Sequence, residues 1–258
     1  MRSSSRILTA ILTVFLAAPI SVAGADTLVT PVGLDLENVD GAQAFAFPFA
    51  RGNPQFSNLP YRYQQAYAAS EFDSIGDVIG ISELRFRIDK ATGDRSPFTV
   101  QSVEVRLSVT QVDPDALATG STAAMDGNIG SGQTLVYQGS LDWAPCDAGT
   151  CPLPAFDLAI PFTEDFFYDP LDGNLLLEVY NLSETYPTQF FDAVNSTSDG
   201  IGHVREMLDF ANPSVSLFPT DAPSNGLVTQ FVYTVPEAGS ALGAATALLA
   251  IGMLRRRA

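Results

Sequence analysis

Short runs in which apolar and polar residues alternate fill the chain between positions 26 and 235. The clearest run, residues 103–112, has an apolar side chain at every second position from Val103 to Val109, which is the period of a strand with one face in a core. Similar or continuous apolar runs, separated by Gly, Pro, Asp and Asn, predict further strands at 27–34, 81–88, 134–141, 156–162, 174–181, 189–194, 205–210 and 228–235.

These runs predict an all-β fold, an antiparallel β-sandwich that we expect to be jelly-roll-like. A parallel sheet would need crossover helices, and residues 26–235 show almost no helical period. A body of about 210 residues is long enough to bury the core of one such domain. The pattern alone does not distinguish a double-sheet jelly roll from a closed barrel.

Four stretches carry weaker signals. Residues 41–58 contain four phenylalanines and predict an extended segment laid over the core. Residues 61–72 fit either a strand or a short helix. Residues 113–133 predict a long loop with a helical turn at 114–117, and residues 219–226 predict a turn before the final strand.

The first 25 residues have the layout of a secretory signal peptide. Arg2 and Arg6 precede an apolar stretch at 7–20, and the small residues at 23–25 form a cleavage site, so the mature chain would begin at Asp26. A permanent transmembrane helix is the alternative, but the apolar stretch is short for one.

Residues 236–258 have the layout of a C-terminal sorting signal. An apolar stretch at 238–254 would be about 25 Å long as a helix, at the short end of what spans a bilayer. The arginines that follow favour the cytoplasmic side, so that residues 26–235 would face outward. A buried helix of a soluble domain is the alternative, but three arginines next to the chain end fit an anchor better. The motif and the basic cluster are Val235, Pro236, Glu237, Ala238, Arg255, Arg256 and Arg257.

This order of motif, apolar stretch and arginine cluster resembles the PEP-CTERM sorting signal of Gram-negative bacteria, with Ala238 at the place of the family's second proline. The resemblance implies recognition by an exosortase, a membrane protease-transferase. Residues 62–72, 79–87 and 167–179 also resemble a domain found ahead of this signal. That second resemblance implies a secreted β-sandwich without an assigned activity.

Charge excludes one class of partner. The chain has 13 Lys and Arg against 29 Asp and Glu, and residues 26–235 keep 8 basic and 28 acidic residues, a net charge of −20. Nucleic acid and anionic lipid need Lys or Arg to neutralise phosphate, so we expect neither to bind the body. The charge leaves room for divalent cations or cationic partners.

The two cysteines predict a disulfide. Cys146 and Cys151 enclose four residues in a chain that we expect to be exported. Closing so short a loop contributes roughly 2 kcal/mol, so this bond would staple a loop rather than hold the fold. A zinc site would need two more soft ligands, and a catalytic dithiol normally has a two-residue spacer.

Catalytic patterns are weak. His203 is the single histidine, no Gly-x-Ser-x-Gly motif is present, and we expect a solvent-facing or hydrogen-bonded histidine at a strand start. Paired carboxylates for glycoside hydrolysis are too numerous here to select a site. Trp143, the single tryptophan, is expected in the core, although it could also stack on a sugar ring.

Calcium is the ligand that the sequence favours most. Asp169, Asp172 and Asn174 place three oxygen-bearing side chains within six residues at a predicted turn. Weak extracellular calcium sites use such loops, although Asp and Asn also favour turns by hydrogen-bonding their own backbone. We expect no other cofactor.

The combined prediction is a non-enzymatic protein exported to the cell envelope, cell surface or extracellular matrix. An exosortase would process it, and its β-sandwich would contact exopolysaccharide or another surface polymer. The alternative is a carbohydrate-active hydrolase or lyase that uses paired Asp and Glu residues on the same fold. A self-associating coat component is a third reading.

Overall fold

The computed structural model describes residues 24–35, 41, 43–50, 59–91, 94–144, 155–184, 186–195, 199–208, 216–220 and 225–236. Residues 1–23, residues 237–258 and both cysteines lie outside these ranges, so most of the predicted signal peptide is not described. Within the ranges, the strands are β1 (Asp26–Thr30), β2 (Gln43–Phe45), β3 (Tyr61–Tyr67), β4 (Ile79–Phe86), β5 (Phe98–Thr110), β6 (Ser131–Trp143), β7 (Leu158–Tyr168), β8 (Asn174–Asn181), β9 (Phe191–Asn195), β10 (Ile201–Leu208), β11 (Ser216–Thr220), β12 (Asn225–Leu227) and β13 (Thr229–Thr234).

Helical structure is confined to short pieces in the described ranges. One α-helix, α1 (Thr122–Asp126), lies between β5 and β6. Three 3₁₀ turns are found at Ala69–Phe72, Pro114–Ala116 and Pro170–Asp172. No described helix is both long enough and apolar enough to cross a membrane. The protein is therefore mostly antiparallel β-sheet, as the sequence predicts.

The strands form three antiparallel sheets. The first has the order β1-β13-β4-β7, the second β11-β10-β3-β8-β5-β6, and a small third sheet has the order β12-β9-β2. The chain passes repeatedly between the first two sheets, because β3, β5, β6 and β8 belong to one and β4 and β7 to the other. Neighbours in a sheet therefore come from distant parts of the chain.

The two large sheets pack against each other through one hydrophobic core. Alternate residues of strands such as β5 and β7 enter this core, since side chains in a strand point to opposite faces in turn. Tyr67 of β3 meets Phe231 of β13 at a ring-centroid distance of 5.0 Å, and Phe72 meets Tyr168 of β7 at 4.9 Å. Burying a side chain of this size contributes roughly 2–3 kcal/mol, so these aromatic contacts fix the position of one sheet on the other.

The segment at 43–50 covers part of the core, as predicted for the extended stretch that includes it. Phe49 is fully buried and its ring lies 5.1 Å from that of Phe86 and 5.7 Å from that of Phe191. The backbone of β2 pairs with β9. This segment therefore connects the small sheet, through β2, with the core, through Phe49.

The outer face of the six-stranded sheet is also covered. Residues 111–130, which we call the cap segment, connect β5 to β6 and lie on this face. Leu117 and Met125 of the cap segment join Ala66, Leu176 and Val204 in a second small hydrophobic cluster. As a result, all seven residues of β3 are buried.

Two expectations need correction or refinement. The predicted turn at 219–226 is wrong at both ends, because Pro219 lies in β11 and residues 225–227 form β12. Pro219 is tolerated because β11 is an edge strand, where a missing N–H need not break a ladder. Residues 61–72, predicted as either strand or helix, contain both: β3 is followed by the 3₁₀ turn Ala69–Phe72.

Candidate functional site

A buried cluster of charges lies between the six-stranded sheet and the cap segment. Arg62 on β3 is fully buried, and its Nε donates a hydrogen bond of 2.7 Å to Oε1 of Glu178 on β8. Its Nη2 lies 2.6 Å from the same oxygen. Its Nη1 lies 2.7 Å from Asp126 Oδ1 in α1 and 3.5 Å from Oε1 of the buried Glu206 on β10. We call these four residues the Arg62 cluster.

Amide side chains complete the hydrogen bonding of the Arg62 cluster. Gln64 Nε2 donates to Glu178 Oε1 at 2.8 Å, and Gln133 Nε2 donates to Glu178 Oε2 at 2.9 Å. Asn128 of the cap segment donates to Gln64 Oε1 at 2.9 Å. Thr122 Oγ1 donates to Glu206 Oε2 at 3.1 Å. The cap segment is thus tied to the sheet by charge and by amide contacts, not only by its apolar residues.

Opposing effects act on Arg62. Burial lowers its pKa, but Glu178, Tyr180 and Asp126 raise it by more, so the pKa lies above the usual arginine value and the guanidinium stays charged. Tyr180 lies next to this charge at the open edge of the cap. Burial and Glu178 raise the pKa of Tyr180 to about 12 although Arg62 and Arg106 oppose the shift. The arrangement is a structural clamp, because it holds two carboxylates in place and leaves them shielded from solvent.

A shallow groove lies at the far end of the β5–β6 pair. Its volume is about 270 Å³ and its lining is Pro97, Phe98, Thr99, Asp142, Trp143 and Ala144. The ring of Phe98 lies 4.7 Å from that of Trp143 in an edge-to-face arrangement. Thr99 Oγ1 donates a hydrogen bond of 2.7 Å to Asp142 Oδ1 at the exposed rim. We call this the Trp143 groove, and it combines an aromatic floor with a carboxylate and a hydroxyl.

Trp143 itself is a core residue, as predicted. It is 4 % exposed and also packs near Phe191. A ligand in the groove would therefore contact mainly Phe98, Pro97 and the rim residues, with Trp143 as support beneath them. The alternative prediction, in which Trp143 alone offers a flat face to a sugar, is not supported by this burial.

Loops at one end of the molecule are strongly acidic. Residues 68–78, 111–117, 169–173 and 199–200 contain eight Asp and Glu and no Lys, Arg or His. Hydrogen bonds join them into one surface: Ala68 N–H donates to Gly200 O at 2.7 Å, and Gln111 Nε2 donates to Asp172 O at 2.6 Å. Burial, together with the nearby Asp199 and Asp73, raises the pKa of Glu71, although the Val32 N–H lowers it.

The three residues predicted to bind calcium lie at this acidic end. Asp169 Oδ1 accepts a hydrogen bond of 2.9 Å from the Leu171 N–H and begins the 3₁₀ turn Pro170–Asp172. Asn174 Oδ1 accepts from Ala69 N–H and its Nδ2 donates to Val112 O, both at 2.9 Å. These contacts are those of side chains that stabilise turns. Among the described residues, no group of three or more His, Cys, Asp or Glu is placed to hold a metal ion.

His203 was predicted to be a solvent-facing or hydrogen-bonded residue at a strand start, and only the solvent-facing alternative is wrong. It is fully buried in β10, with its ring stacked on Tyr63 at 5.3 Å and tilted against Phe45 at 4.7 Å. The residues around it are aromatic, and β3 supplies its neighbour on the sheet. His203 therefore packs within the core.

The described part of the predicted sorting motif, Val235 and Pro236, follows directly after β13. Val235 packs against the core, and Pro236 is exposed. Glu237, Ala238 and the arginines at 255–257 lie outside the described residues, as do Cys146 and Cys151, so the sorting and disulfide predictions stay predictions.

Sequence reasoning missed the Arg62 cluster. Arg62 stands in the run Tyr61–Tyr67, and Glu178 stands in an apolar run on β8. A single charge inside such a run is a signal, since a buried charge needs a partner. The presence of Arg62 in one predicted strand and Glu178 in another could therefore have indicated that they pair.

Comparison with known proteins adds no family. No protein-family model and no curated protein matches this chain.

Proposed function

We propose that this chain is an exported, non-catalytic protein of the bacterial cell envelope, whose jelly-roll-like β-sandwich contacts a surface polysaccharide. An exosortase would process it at the signal that follows β13. The proposal of export and processing is supported by the order of elements after Thr234, which is the Pro-Glu motif, the apolar stretch and the arginines. Contact with a polymer rests on one observation, the Trp143 groove.

The strand orders support the jelly-roll assignment. In the orders β1-β13-β4-β7 and β3-β8-β5-β6, strands alternate between early and late parts of the chain, as two interleaved Greek keys require. The small sheet formed by β2, β9 and β12 is an addition to this plan. Small sugar-binding and coat modules use such double-sheet scaffolds, but the fold alone does not specify a ligand.

The chemistry of the Trp143 groove fits a sugar ring. The apolar face of a pyranose packs on aromatic and proline surfaces, and Phe98 and Pro97 supply both. Sugar hydroxyls hydrogen-bond to carboxylates and hydroxyls, which Asp142 and Thr99 provide at the rim. Since the body carries a net charge of −20, a neutral or amino-bearing polymer fits better than a polyanion.

The enzyme alternative has less support. A glycosidase needs two carboxylates that reach the substrate. Glu178 and Glu206 are about 1 % exposed and are both held by Arg62, so neither is open to a sugar in this arrangement. We therefore keep the non-catalytic reading.

Binding is tested with mature protein purified from its host, titrated calorimetrically with neutral, amino-bearing and uronic-acid polysaccharides. We expect binding to a neutral or amino-bearing polymer without release of reducing ends. Phe98→Ala and Asp142→Asn should each weaken it at least about tenfold, since one removes the apolar contact and the other a hydrogen-bonding charge. The matched control is Gln138→Ala, an exposed change on the same strand as Asp142 but outside the groove.

Salt dependence separates the two polymer classes. Attraction to an amino-bearing polymer weakens as salt rises, whereas contact with a neutral one hardly changes. Steady product release would favour the enzyme reading. Equal binding by the groove variants and by Gln138→Ala would remove the groove from the proposal.

A further inference from the structure

The end of the folded domain is unusually close to the predicted processing site. β13 lies inside the four-stranded sheet, between β1 and β4. Tyr233 pairs with Asp26 on one side and with Ile81 on the other, and Thr234 pairs with Gly80. Only Val235 separates this last paired residue from Pro236.

The residues before Pro236 are also held by side-chain burial. Tyr233 is 9 % exposed, and Val235 packs against the hydrophobic core. Tyr233 lies opposite Asp26 on β1, and burial together with this carboxylate raises the pKa of Tyr233. Freeing these residues means separating Tyr233 from both neighbouring strands, separating Thr234 from β4, and exposing apolar surface of Tyr233 and Val235.

Processing requires free backbone at this place. The enzyme breaks one peptide bond near Pro236–Glu237: the carbonyl carbon passes to water or to an amine or hydroxyl acceptor in the envelope, and the nitrogen leaves as the amine of the released apolar segment. Enzymes that act on peptide bonds bind several residues on each side in an extended form, through main-chain hydrogen bonds. In β13 those groups are already used by β1 and β4.

We infer that the folded domain gates its own C-terminal processing, which proceeds only through a minor form in which Tyr233 has separated from β1 and β4, Thr234 from β4, and Val235 from the core. This inference rests on the proposed sorting function. Ends of strands open locally at lower free energy than the whole domain unfolds, so such a form exists without global unfolding. The rate of processing then follows the population of this minor form.

A linker tests this gate. Six Gly and Ser residues inserted between Val235 and Pro236 supply free backbone without opening β13, so processing should become at least about tenfold faster. The matched control places the same six residues between Gly76 and Asp77, in an exposed turn, and should leave the rate unchanged. A second variant, Tyr233→Ala, loosens the strand end and should also speed processing, whereas a recognition role for Tyr233 would slow it.

The measurement is a pulse-chase in the native host, following the chain that has lost its signal peptide but keeps its C-terminus, with intact mass to identify the cut bond and any acceptor. Faster chase for the linker and Tyr233→Ala variants, with the Gly76 control unchanged, supports the gate. Equal rates for the parent and linker chains overturn the gate and leave the sorting function standing. If no variant is cut and full-length mature chain persists, the proposed sorting function fails, and the gate fails with it.

Discussion

Replacing Arg62 by methionine isolates the contribution of the buried charge cluster. Methionine keeps much of the apolar stem but removes the guanidinium that contacts Glu178 and Glu206, which are both about 1 % exposed. Removing one partner of a buried pair costs about 3–5 kcal/mol, because an uncompensated charge stays in a low-dielectric site. Here two carboxylates lose their shared cation, so we expect about 4 kcal/mol, a large fraction of the roughly 5–15 kcal/mol that stabilises a domain.

Urea denaturation of the mature protein at pH 7.5 measures this loss. Fluorescence of Trp143, the single tryptophan, and far-ultraviolet circular dichroism should report the same transition if unfolding is two-state. With an m-value of about 2.5 kcal/mol/M, a loss of about 4 kcal/mol lowers the midpoint by about 1.5 M. The slope itself should hardly change.

Arg85→Met is the matched control. Arg85 pairs with Glu83 through side chains that are 37 % and 20 % exposed, and pairs of this kind contribute at most about 1 kcal/mol. Adding Glu178→Gln to Arg62→Met removes one orphaned charge, so the double variant should be more stable than Arg62→Met alone. Equal midpoints for Arg62→Met and Arg85→Met would refute the reasoning, because the buried cluster would then behave like a solvated pair.

Four further predictions follow from other sites. The pKa of Tyr180 is about 12 in the folded state and about 10 in the unfolded state, so folding keeps the phenol protonated up to a higher pH. The stability that this provides is full below pH 10 and falls by about 1–2 kcal/mol towards pH 12, after allowance for partial exposure. Urea midpoints should fall less over this range in Tyr180→Phe than in the parent. Because the pKa of Glu71 is raised in the folded state, its stabilising contribution is present at low pH and lost as pH rises, so Glu71→Gln should melt above the parent at pH 7 and level with it near pH 4. Gly200→Ala should lower the free energy of unfolding in urea by about 2–3 kcal/mol, since φ at Gly200 is +83° and an added Cβ would lie 2.3 Å from Glu71 Oε1. Gly33→Ala, with φ +95° and open space around the added Cβ, should lower it by only about 1 kcal/mol. Millimolar calcium should raise the melting temperature of the parent but not of Asp169→Asn, and coincident parent melts with and without calcium would exclude the site.

Alternation predicted strands well where only one face is buried. The run at 103–112 lies largely within β5, where buried and more exposed positions alternate. The run at 174–181 coincides with β8, but it is a continuous apolar run that is buried along most of its length, so alternation did not predict it. Boundaries shifted most at Leu158–Tyr168, which continues beyond the predicted 156–162 through Asp165, a residue typical of turns.

Burial on both faces removes the signal on which sequence reasoning depends. β3 is buried on one side by the core and on the other by the cap segment, so its residues do not alternate and residues 61–72 remained ambiguous. The cap segment itself contains Gly, Ala, Ser and Asp and has the composition of an exposed loop. Its position on the sheet depends on partners such as Glu206, which lies 84 residues further along the chain than Thr122.

The candidate sites also differ in whether their residues are close together in the sequence. The predicted sorting signal is local in sequence, so the order of its parts is enough to predict it, and it stays a prediction. The Trp143 groove brings together residues 97–99 and 142–144 through the pairing of β5 with β6. Of these residues, only Trp143 was considered from the sequence as a possible sugar contact. The burial of His203 could not be predicted from its sequence neighbours, because the aromatic rings around it come from β2 and β3.

The pairing of β1 with β13 bears on how the precursor matures. Directly opposed residues of antiparallel strands have Cα atoms about 5 Å apart, so Asp26 and Tyr233 bring the start of β1 and the end of β13 side by side. Under the proposed topology, a signal helix and a C-terminal helix attached at these points would enter the bilayer as neighbours, with opposite directions. The domain would then complete its fold while still tethered twice, and the paired end of β13 would slow removal of the C-terminal tether.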